Sequence, residues 1–244
     1  MKDRIALVTG ASAGIGEACA VAIADAGGSV VLNARRQERL EALASRLGRA
    51  AVCAGDCADD AVIDAMFETA RSAFGRDPDI VIVNAGRGLS GSVVTSDPAS
   101  WEEMIRTNLL GAARLMRAAA HRLDALDQPR RDVVVLGSNV GRHISPFSSM
   151  YGSTKFAVNA LAEAMRRELA PKNIRVTLVE PGFVVSEFQG VAGYDDEWFR
   201  GVLDRIGPVL EPEDVARTIR FALEQPAHVH LGDILIRPTR QDYP

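Results

Sequence analysis

Short runs of aliphatic and β-branched residues recur along the chain, separated by longer stretches in which apolar residues return every three or four positions. Most of the short runs are apolar throughout, which is typical of strands buried on both faces of a parallel sheet. They predict strands at 4–9, 29–34, 50–54, 79–84, 132–138, 174–180 and 232–237. The periodic stretches predict helices at 14–26, 36–47, 60–74, 99–125, 150–170 and 212–224.

This alternation of strands and helices predicts βαβ units. The fold class we expect is α/β, a doubly wound (Rossmann) seven-stranded parallel sheet with helices on both faces. No linker or low-complexity stretch divides the 244 residues, so we expect a single domain over 1–244. The interval 182–211 lacks a strand pattern and is rich in glycine, aromatic and charged residues, and we interpret it as a substrate lid.

Composition narrows the class of protein. Hydrophobic residues make up 47% and charged residues 25%, and the net charge of −4 argues against a nucleic-acid partner. No apolar run is long enough to cross a bilayer. We expect no signal peptide, because the N-terminal segment enters a predicted strand at once. The odd number of cysteines (Cys19, Cys53 and Cys57) predicts reduced thiols in a cytoplasmic protein, and no metal site is expected.

A glycine-rich turn follows the first predicted strand. In "TGASAGIG", Gly10, Gly14 and Gly16 precede a predicted helix. Glycines let backbone N–H groups approach a pyrophosphate, and the helix N-terminus adds favourable partial charge. Three glycines can also serve the turn alone, but their place between a strand and a helix favours a dinucleotide site.

The second predicted strand ends in Ala34, Arg35 and Arg36, with no acidic residue. An acid at this place binds the ribose hydroxyl of NAD, whereas arginine accommodates the 2′-phosphate of NADP. The alternative is two solvated arginines on the first turn of a helix, where they oppose the macrodipole. The pattern therefore predicts NADP(H) as the cofactor.

Several short motifs follow in one order: "TGASAGIG", "NAG" at 84–86, Asn108, Ser138, "YGSTK" at 151–155 and "EPG" at 180–182. With these motifs the chain resembles the short-chain dehydrogenase/reductase family over nearly its whole length. The resemblance implies a catalytic set of Ser138, Tyr151, Lys155 and Asn108. It implies cofactor contacts at Gly10, Ser12, Gly14, Ile15, Gly16, Arg35, Arg36, Asp56, Cys57, Asn84, Ala85, Gly86, Tyr151, Lys155, Pro181, Gly182, Val184 and Ser186.

The expected chemistry centres on Tyr151. A nearby ammonium, supplied by Lys155 one helical turn away, favours the phenolate and so lowers the pKa of Tyr151 toward neutral pH. Tyr151 then exchanges a proton with a carbonyl or alcohol, while Ser138 hydrogen-bonds the same oxygen. The resemblance implies that Asn108 interrupts its helix and holds a water that relays protons to Lys155.

The C-terminal stretch "QPAHVHLGDILIRPTRQ" resembles a subgroup of NADP-dependent enzymes that act on small aldehydes, 3-hydroxy acids and serine, including clavulanate-type aldehyde reductases. We therefore expect a small polar carbonyl or alcohol as substrate. The possible carboxylate partners are Arg87, Arg142, Arg200 and Arg205, and Tyr194, Trp198 and Phe199 either line the lid or pack it onto the domain.

Two sequence positions depart from the family pattern: Gly137 replaces a common serine and Ser186 a common threonine. The alternative activities are an acyl-carrier-protein or other ketoreductase, whose usual Gly-Gly tail is missing, and a non-catalytic NADP-sensing protein. Apolar residues on more than one face of helices 99–125 and 150–170 predict a homo-oligomer, a tetramer or dimer, joined through these helices.

Overall fold

The computed structural model describes residues 1–143 and 145–242 and confirms the predicted fold class. Seven strands of the described chain pair in parallel, in the order β3-β2-β1-β4-β5-β6-β7. They are β1 (Ile5–Thr9), β2 (Ser29–Ala34), β3 (Ala50–Ala54), β4 (Ile80–Val83), β5 (Arg131–Leu136), β6 (Ile174–Pro181) and β7 (Asp233–Ile236). Observed and predicted strand boundaries differ by no more than two residues.

The helices alternate with the strands. They are α1 (Gly14–Asp25), α2 (Gln37–Leu47), α3 (Asp60–Phe74), α4 (Trp101–Ile105), α5 (Ala112–Asp124), α6 (Ser149–Leu169), α7 (Phe188–Ala192), α8 (Asp196–Ile206) and α9 (Pro212–Glu224). Local signals set several of their ends. The Asp59 carboxylate caps the start of α3, and Gly75 ends that helix in the left-handed region at φ 83°.

Two apolar layers hold the helices on the sheet. One face is covered by α1, α2 and α9, and the other by α3, α5 and α6. Central strands such as β1, β4 and β6 are buried at every position, whereas the edge strand β7 alternates between exposed and half-buried residues. The continuous apolar runs of the sequence therefore mark strands that are covered on both sides.

The helix predicted over 99–125 is divided into four parts. A 3₁₀ turn at Pro98–Ser100 leads into α4, a π-helical turn follows at Arg106–Gly111, and α5 completes the segment. The π-helical turn contains Asn108, whose side chain hydrogen-bonds the backbone of Arg87 in the next loop. The predicted interruption of the helix at Asn108 therefore takes the form of a single π-helical turn inside a longer helical segment.

The interval 182–211 contains α7 and α8, which the sequence analysis did not predict. Its two ends are joined by a β-bridge between Val184 and Leu210, with backbone bonds from Val185 N to Leu210 O (2.9 Å) and from Leu210 N to Phe183 O (3.1 Å). The segment between these ends forms a loop that leaves the carboxyl end of β6 and returns to it.

A buried ionic ladder lies at the opposite, amino-terminal edge of the sheet. The Asp132 carboxylate accepts from Arg4 Nη2 and from Arg175 Nε, both at 2.7 Å, and Arg4 Nε donates to Asp79 Oδ1 at 3.1 Å. All four residues are less than 7% exposed. The ladder joins the beginnings of β1, β4, β5 and β6, far from the strand ends where ligands bind in folds of this kind.

The described residues also bear on class. None of their helices combines the length and the apolar character that crossing a bilayer requires. Their acidic, histidine and cysteine side chains form no cluster of three or more suited to a metal ion. Cys19, Cys53 and Cys57 are all free thiols.

Candidate active site

A cavity of about 920 Å³ opens at the carboxyl ends of the parallel strands. Its wall contains every predicted cofactor contact except Gly16. Of the predicted catalytic set it contains Ser138, Tyr151 and Lys155, and Asn108 lies just behind the wall. The residues in the wall are Gly10, Ser12, Gly14, Ile15, Arg35, Arg36, Asp56, Cys57, Asn84, Ala85, Gly86, Ser138, Tyr151, Lys155, Pro181, Gly182, Val184 and Ser186.

The turn between β1 and α1 requires its glycines. Gly10 and Gly14 have φ of +68° and +57°, in the region where a side chain is strained. A Cβ on Gly16 would lie 2.3 Å from the carbonyl oxygen of Gly10, so the helix can approach the strand only without a side chain there. The turn leaves backbone N–H groups and the start of α1 facing the cavity, an arrangement suited to a pyrophosphate.

Arg35 and Arg36 follow the end of β2 at one end of the cavity. Arg36 donates from Nε and Nη2 to Ser12 Oγ, at 3.1 and 3.0 Å, so its guanidinium lies against the glycine-rich turn. Arg35 Nη1 pairs with Glu103 Oε1 at 3.3 Å and is largely exposed. Both cations are therefore on the cavity wall before any ligand is bound.

Asp56 and Cys57 form the neighbouring part of the wall. The Asp56 carboxylate accepts from Ala58 N at 2.9 Å and pairs with Arg106, and these hydrogen bonds outweigh partial burial and lower its pKa. Burial, with a smaller effect from Asp56, raises the pKa of the Cys57 thiol to about 11. The thiol is therefore protonated and unreactive at neutral pH.

The floor of the cavity is the segment after β4. Asn84 donates from Nδ2 to Thr9 O at 2.8 Å, and its backbone N–H bonds Thr9 Oγ1 at 3.1 Å. A Cβ on Gly86 would lie 3.3 Å from Asn108 Oδ1 and 3.8 Å from Lys155 Nζ. Gly86, Asn108 and Lys155 therefore lie close together at the floor of the cavity.

Asn108 is 2% exposed and uses its amide to fix the loop at Arg87. Oδ1 accepts from Arg87 N at 2.8 Å, and Nδ2 donates to Arg87 O at 2.8 Å and to Thr154 Oγ1 at 3.2 Å. Thr154 Oγ1 in turn donates to Tyr151 O at 2.7 Å. Asn108 thus links the cavity floor to the helix that carries the tyrosine, and the water relay remains a prediction.

Ser138 stands just past the end of β5 and Tyr151 in the first turn of α6, both 8% exposed. Both side chains line the cavity, and the Ser138 hydroxyl donates to Asn139 Oδ1 at 3.3 Å. Burial raises the pKa of Tyr151, the nearby Tyr194 raises it further, and the neighbouring Ser138 hydroxyl partly opposes this. Without a bound ligand the phenol is therefore fully protonated at neutral pH.

Lys155 lies one turn further along α6 and is 7% exposed. Its ammonium donates to the carbonyl of Leu136, the last residue of β5, at 2.7 Å. Burial lowers the pKa of Lys155 to about 8. The expected lowering of the tyrosine pKa by this lysine is not what dominates here, because removal of both groups from water is the larger effect.

The other wall comes from the segment after β6. Gly182 N bonds Ile236 O at 2.8 Å, and Phe183 N bonds Gln241 Oε1 at 3.0 Å. A Cβ on Gly182 would lie 2.3 Å from that same Gln241 oxygen. Further on, Ser186 lies directly against the glycine-rich turn, since a Cβ on Gly14 would lie 3.4 Å from the Ser186 Cβ.

The end of the cavity beside Tyr151 combines hydroxyl groups with aromatic rings. Ser148 Oγ donates to Ser145 Oγ at 3.1 Å, and both residues are buried. Burial raises the pKa of the Tyr194 hydroxyl, and Ser148 partly opposes this. The Tyr194 ring stacks on Trp198, with centroids 5.4 Å apart. A substrate here would meet polar groups on one side and apolar rings on the other.

The four arginines predicted as carboxylate partners are separated by the structure. Arg87 and Arg205 line the cavity, and Arg200 does not. Arg142 does not have the place predicted for a carboxylate partner of the substrate. It lies outside the cavity wall and donates from Nε to Glu180 Oε2 at 2.5 Å. Phe199 also lies outside the wall, whereas Tyr194 and Trp198 form part of it.

The departure at Gly137 has a packing reason. A Cβ there would lie 2.5 Å from Asn159 Oδ1 and 3.2 Å from Glu180 Cγ. Glu180 is fully buried, and burial raises its pKa despite hydrogen bonds from Arg142 and from Asn159 Nδ2 (2.6 Å). The space that a serine would occupy is therefore filled by this buried polar group.

Sequence reasoning missed several residues of the wall, among them Ser145, Ser148, Glu187 and Phe188. The Phe188 ring meets Tyr151 edge-on, with centroids 5.5 Å apart. The serines sit in "SPFSSMYG", a polar stretch immediately before the tyrosine, and that proximity was the available signal. Glu187 and Phe188 lie in the lid, where the sequence has no periodic pattern long enough to orient them.

Comparison with known proteins bears on the family and the fold of this chain. Residues 4–196 match the family model described as short chain dehydrogenase. An uncharacterised oxidoreductase of Staphylococcus aureus is 32% identical over 240 residues, 98% of each chain. The solved closed form of a serine dehydrogenase complexed with NADP⁺ is 30% identical with a TM-score of 0.87, covering 98% of this chain and 96% of that one.

A third similar structure is a 3-ketoacyl-(acyl-carrier-protein) reductase from Brucella melitensis complexed with NADH. It is 25% identical, covers 98% of both chains and has a TM-score of 0.88. The family model spans most of the residues that build the cavity, and these relatives extend the match to nearly the whole chain. The chain belongs to the short-chain dehydrogenase/reductase family of oxidoreductases.

Proposed function

We propose that this protein is an NADP(H)-dependent oxidoreductase that interconverts the carbonyl and alcohol groups of a small polar substrate. The observation that carries the proposal is the grouping of Ser138, Tyr151 and Lys155 in the wall of one cavity, whose other end is formed by the glycine-rich turn and two arginines. Such a cavity suits a dinucleotide and a second, smaller molecule.

In this proposal Tyr151 is the general acid in reduction and the general base in oxidation. Because burial keeps the phenol protonated, it is ready to donate a proton to a carbonyl oxygen. Ser138 holds that oxygen and stabilises the charge that develops on it. The buried ammonium of Lys155 adds positive charge beneath the same point. NADP(H), when bound, supplies or accepts the hydride.

The cofactor assignment rests on the two arginines and on the absence of an acid at residues 34–36. Residues of the glycine-rich turn would hold the pyrophosphate, Arg35 and Arg36 the 2′-phosphate, and Asp56 the adenine. Lys155, Asn84 and the segment 181–186 would hold the nicotinamide half. The NADP⁺-bound serine dehydrogenase supports this choice, and the NADH-bound reductase is the reason to test it directly.

The substrate class that we propose is an aldehyde, a 3-hydroxy acid or a serine-like compound. The hydroxyls of Ser145, Ser148 and Tyr194 offer hydrogen bonds to a polar substrate, and Arg205 lines the same cavity. Residues 182–211 act as the lid, since Tyr194, Trp198 and Arg205 all belong to that interval.

Two alternatives keep the same fold. An acyl-carrier-protein or other ketoreductase is favoured by the structural similarity to the Brucella enzyme. An NADP-sensing protein needs no catalytic tyrosine, so the intact set of Ser138, Tyr151 and Lys155 disfavours it.

The experiment follows oxidation of NADPH by the purified protein with short aldehydes, 3-oxo acids and an acetoacetyl thioester, and reduction of NADP⁺ with 3-hydroxy acids and serine. Tyr151→Phe serves as the inactive control. Turnover of an aldehyde, a 3-oxo acid, a 3-hydroxy acid or serine supports the proposal. Turnover of the thioester alone favours the ketoreductase, and cofactor binding without any turnover favours the sensor.

We also propose a homo-oligomer, a tetramer or dimer, in the cytoplasm. Leu110 in the π-helical turn and Phe156 on α6 are 48% and 40% exposed, which supports contact between copies through these helices. The three free thiols fit a reducing compartment. Light scattering on the eluted protein would give the mass, and a monomer would contradict the proposal.

A further inference from the structure

Glu187, the residue just before α7 in the lid, shares its carboxylate between two arginines near the start of α2. Oε2 accepts from Arg36 Nη1 at 2.8 Å, and Oε1 accepts from Arg39 Nη1 at 2.5 Å. These hydrogen bonds, led by the one from Arg39, lower the pKa of Glu187. The carboxylate is therefore ionised at neutral pH.

The Glu187 carboxylate lies against Arg36, one of the two arginines to which the proposed function assigns the 2′-phosphate. Glu187, Arg36 and Ser12 all line the cavity, whereas Arg39 does not. Arg36 bonds Ser12 with Nε and Nη2 and Glu187 with Nη1. The donors that Arg36 presents toward the cavity are thus partly taken by an anion of the protein itself.

The position of Glu187 is fixed by its neighbours in the lid. The Phe188 ring packs against Tyr151, and a Cβ on Gly88 would lie 2.6 Å from the Phe188 ring and 2.5 Å from Ala192 Cβ. Ser90 N also donates to Ala192 O at 2.8 Å. Because α7 is held this closely, the backbone of Glu187 stays beside Arg36.

We propose that Glu187 is an internal counter-anion of Arg36 that competes with the 2′-phosphate and so sets the affinity for NADPH relative to NADH. The inference rests on the proposed use of NADP(H). A phosphate on Arg36 takes over the Nη1 donor, and Arg39 retains the carboxylate of Glu187. NADH has no 2′-phosphate and leaves the pair of Arg36 and Glu187 unchanged.

The test compares dissociation constants of NADPH and NADH for the parent and for Glu187→Gln, measured by quenching of tryptophan fluorescence. Glutamine keeps the size of the side chain and removes the charge that repels the phosphate. We expect NADPH to bind roughly three- to tenfold more tightly, as removal of one like charge near contact in water implies. NADH binding should change by less than about twofold on the same reasoning.

The matched control is Glu163→Gln. Glu163 also shares its carboxylate between two arginines, Arg166 and Arg167, both at 2.6 Å, and it lies outside the cavity wall. This control substitution changes the net charge by the same amount as Glu187→Gln does but at a place away from the cavity, so the dissociation constants of NADPH and NADH should both stay at the parent values. An equal gain in both variants would show a general effect of net charge and overturn the proposal.

Arg39→Met provides a second, opposite change. Without Arg39, Glu187 has Arg36 as its remaining partner, so NADPH should bind more weakly, and this loss should shrink in the double variant with Glu187→Gln. Weaker or unchanged NADPH binding in Glu187→Gln overturns the proposal. A parent that prefers NADH would overturn the cofactor assignment instead, and the change in the NADPH to NADH ratio would still decide the role of Glu187.

Discussion

The ammonium nitrogen of Lys155 lies 5.9 Å from the centroid of the Tyr151 ring, while its hydrogen bond goes to a backbone carbonyl of β5. The charge therefore acts on the phenol through space. Both groups are buried. A charge in the protein interior interacts more strongly with its neighbours than a charge at the surface does. Protonation of Tyr151 and of Lys155 is thus controlled mainly by burial and less by the distance between the two groups.

Replacing Tyr151 by phenylalanine removes the proton and keeps the ring. We expect kcat to fall by about 10²–10⁴-fold, the usual contribution of general acid–base catalysis, with little change in NADPH affinity. Steady-state kinetics and a binding titration measure the two. Tyr194→Phe is the matched control, because it removes a second cavity hydroxyl and should cost much less; a mutant Tyr151→Phe with half the parental kcat would exclude the tyrosine as the acid.

Arg35 tests the cofactor assignment. Its charge-assisted bond to a 2′-phosphate should contribute about 1.5–3 kcal/mol, so Arg35→Ala should raise KM for NADPH by roughly ten- to a hundredfold and leave KM for NADH nearly unchanged. Ala34→Asp should go further and favour NADH. Kinetics with both cofactors and one aldehyde measure this, and equal losses for the two cofactors would assign Arg35 to the fold.

Lys155 makes stability depend on pH. Burial lowers its pKa from 10.5 to about 8, so between these values the unfolded chain holds a proton that the folded protein does not. The free energy of unfolding should therefore rise with pH across that window, by up to about 1.4 kcal/mol per pH unit, relative to Lys155→Met. Urea titrations of the parent and of Lys155→Met at several pH values between about 8 and 10.5 give the difference in unfolding free energy. The same pH dependence in both proteins would contradict a lowered pKa of Lys155.

Gly137→Ser restores the residue common in the family at a position where it does not fit. Its Cβ would lie 2.5 Å from Asn159 Oδ1 and 2.9 Å from Leu178 Cδ1, so we expect a loss of about 1–3 kcal/mol in unfolding free energy, as in other overpacked cores. Gly190→Ala in α7 is the control, since nothing lies within 4 Å of a Cβ there. Thermal unfolding of both variants measures the contrast, and equal melting temperatures would show that the site can expand.

The ionic ladder provides a test of stability apart from chemistry. Asp132→Asn leaves two buried arginines without their shared anion and should cost about 3–5 kcal/mol of unfolding free energy. The residue lies at the edge of the sheet opposite the cavity, so kcat and KM of the folded enzyme should stay at parental values. A large change in KM would show that the two edges are coupled.

The strands and the phosphate turn were predictable because their signals are local. A fully apolar run of five or six residues identifies a buried strand, and Gly10, Gly14 and Gly16 are required by the turn that contains them. The ladder was not predictable, since Arg4 meets Asp79 and Asp132, which are 75 and 128 positions away.

The lid shows the same limit. α8 has a polar face and buries Val202 and Ile206, but its short pattern is broken by Gly201, and α7 has only five residues. The partners that orient α7, such as Tyr151 and Gly88, lie at least thirty-seven positions away by their residue numbers. Residues whose places depend on such contacts, including Glu187, could be located only in the folded chain.

The π-helical turn at Arg106–Gly111 sets the phase of the helix that precedes it. Such a turn holds about one residue more than an α-helical turn, and each residue advances a helix by roughly 100°. That extra advance lets α4 bury Met104 while Glu103 reaches both Arg35 and Arg87. Deleting one residue here would rotate α4 against α5 and move Glu103 away from those arginines, so the length of this turn controls a contact at the far end of the cavity.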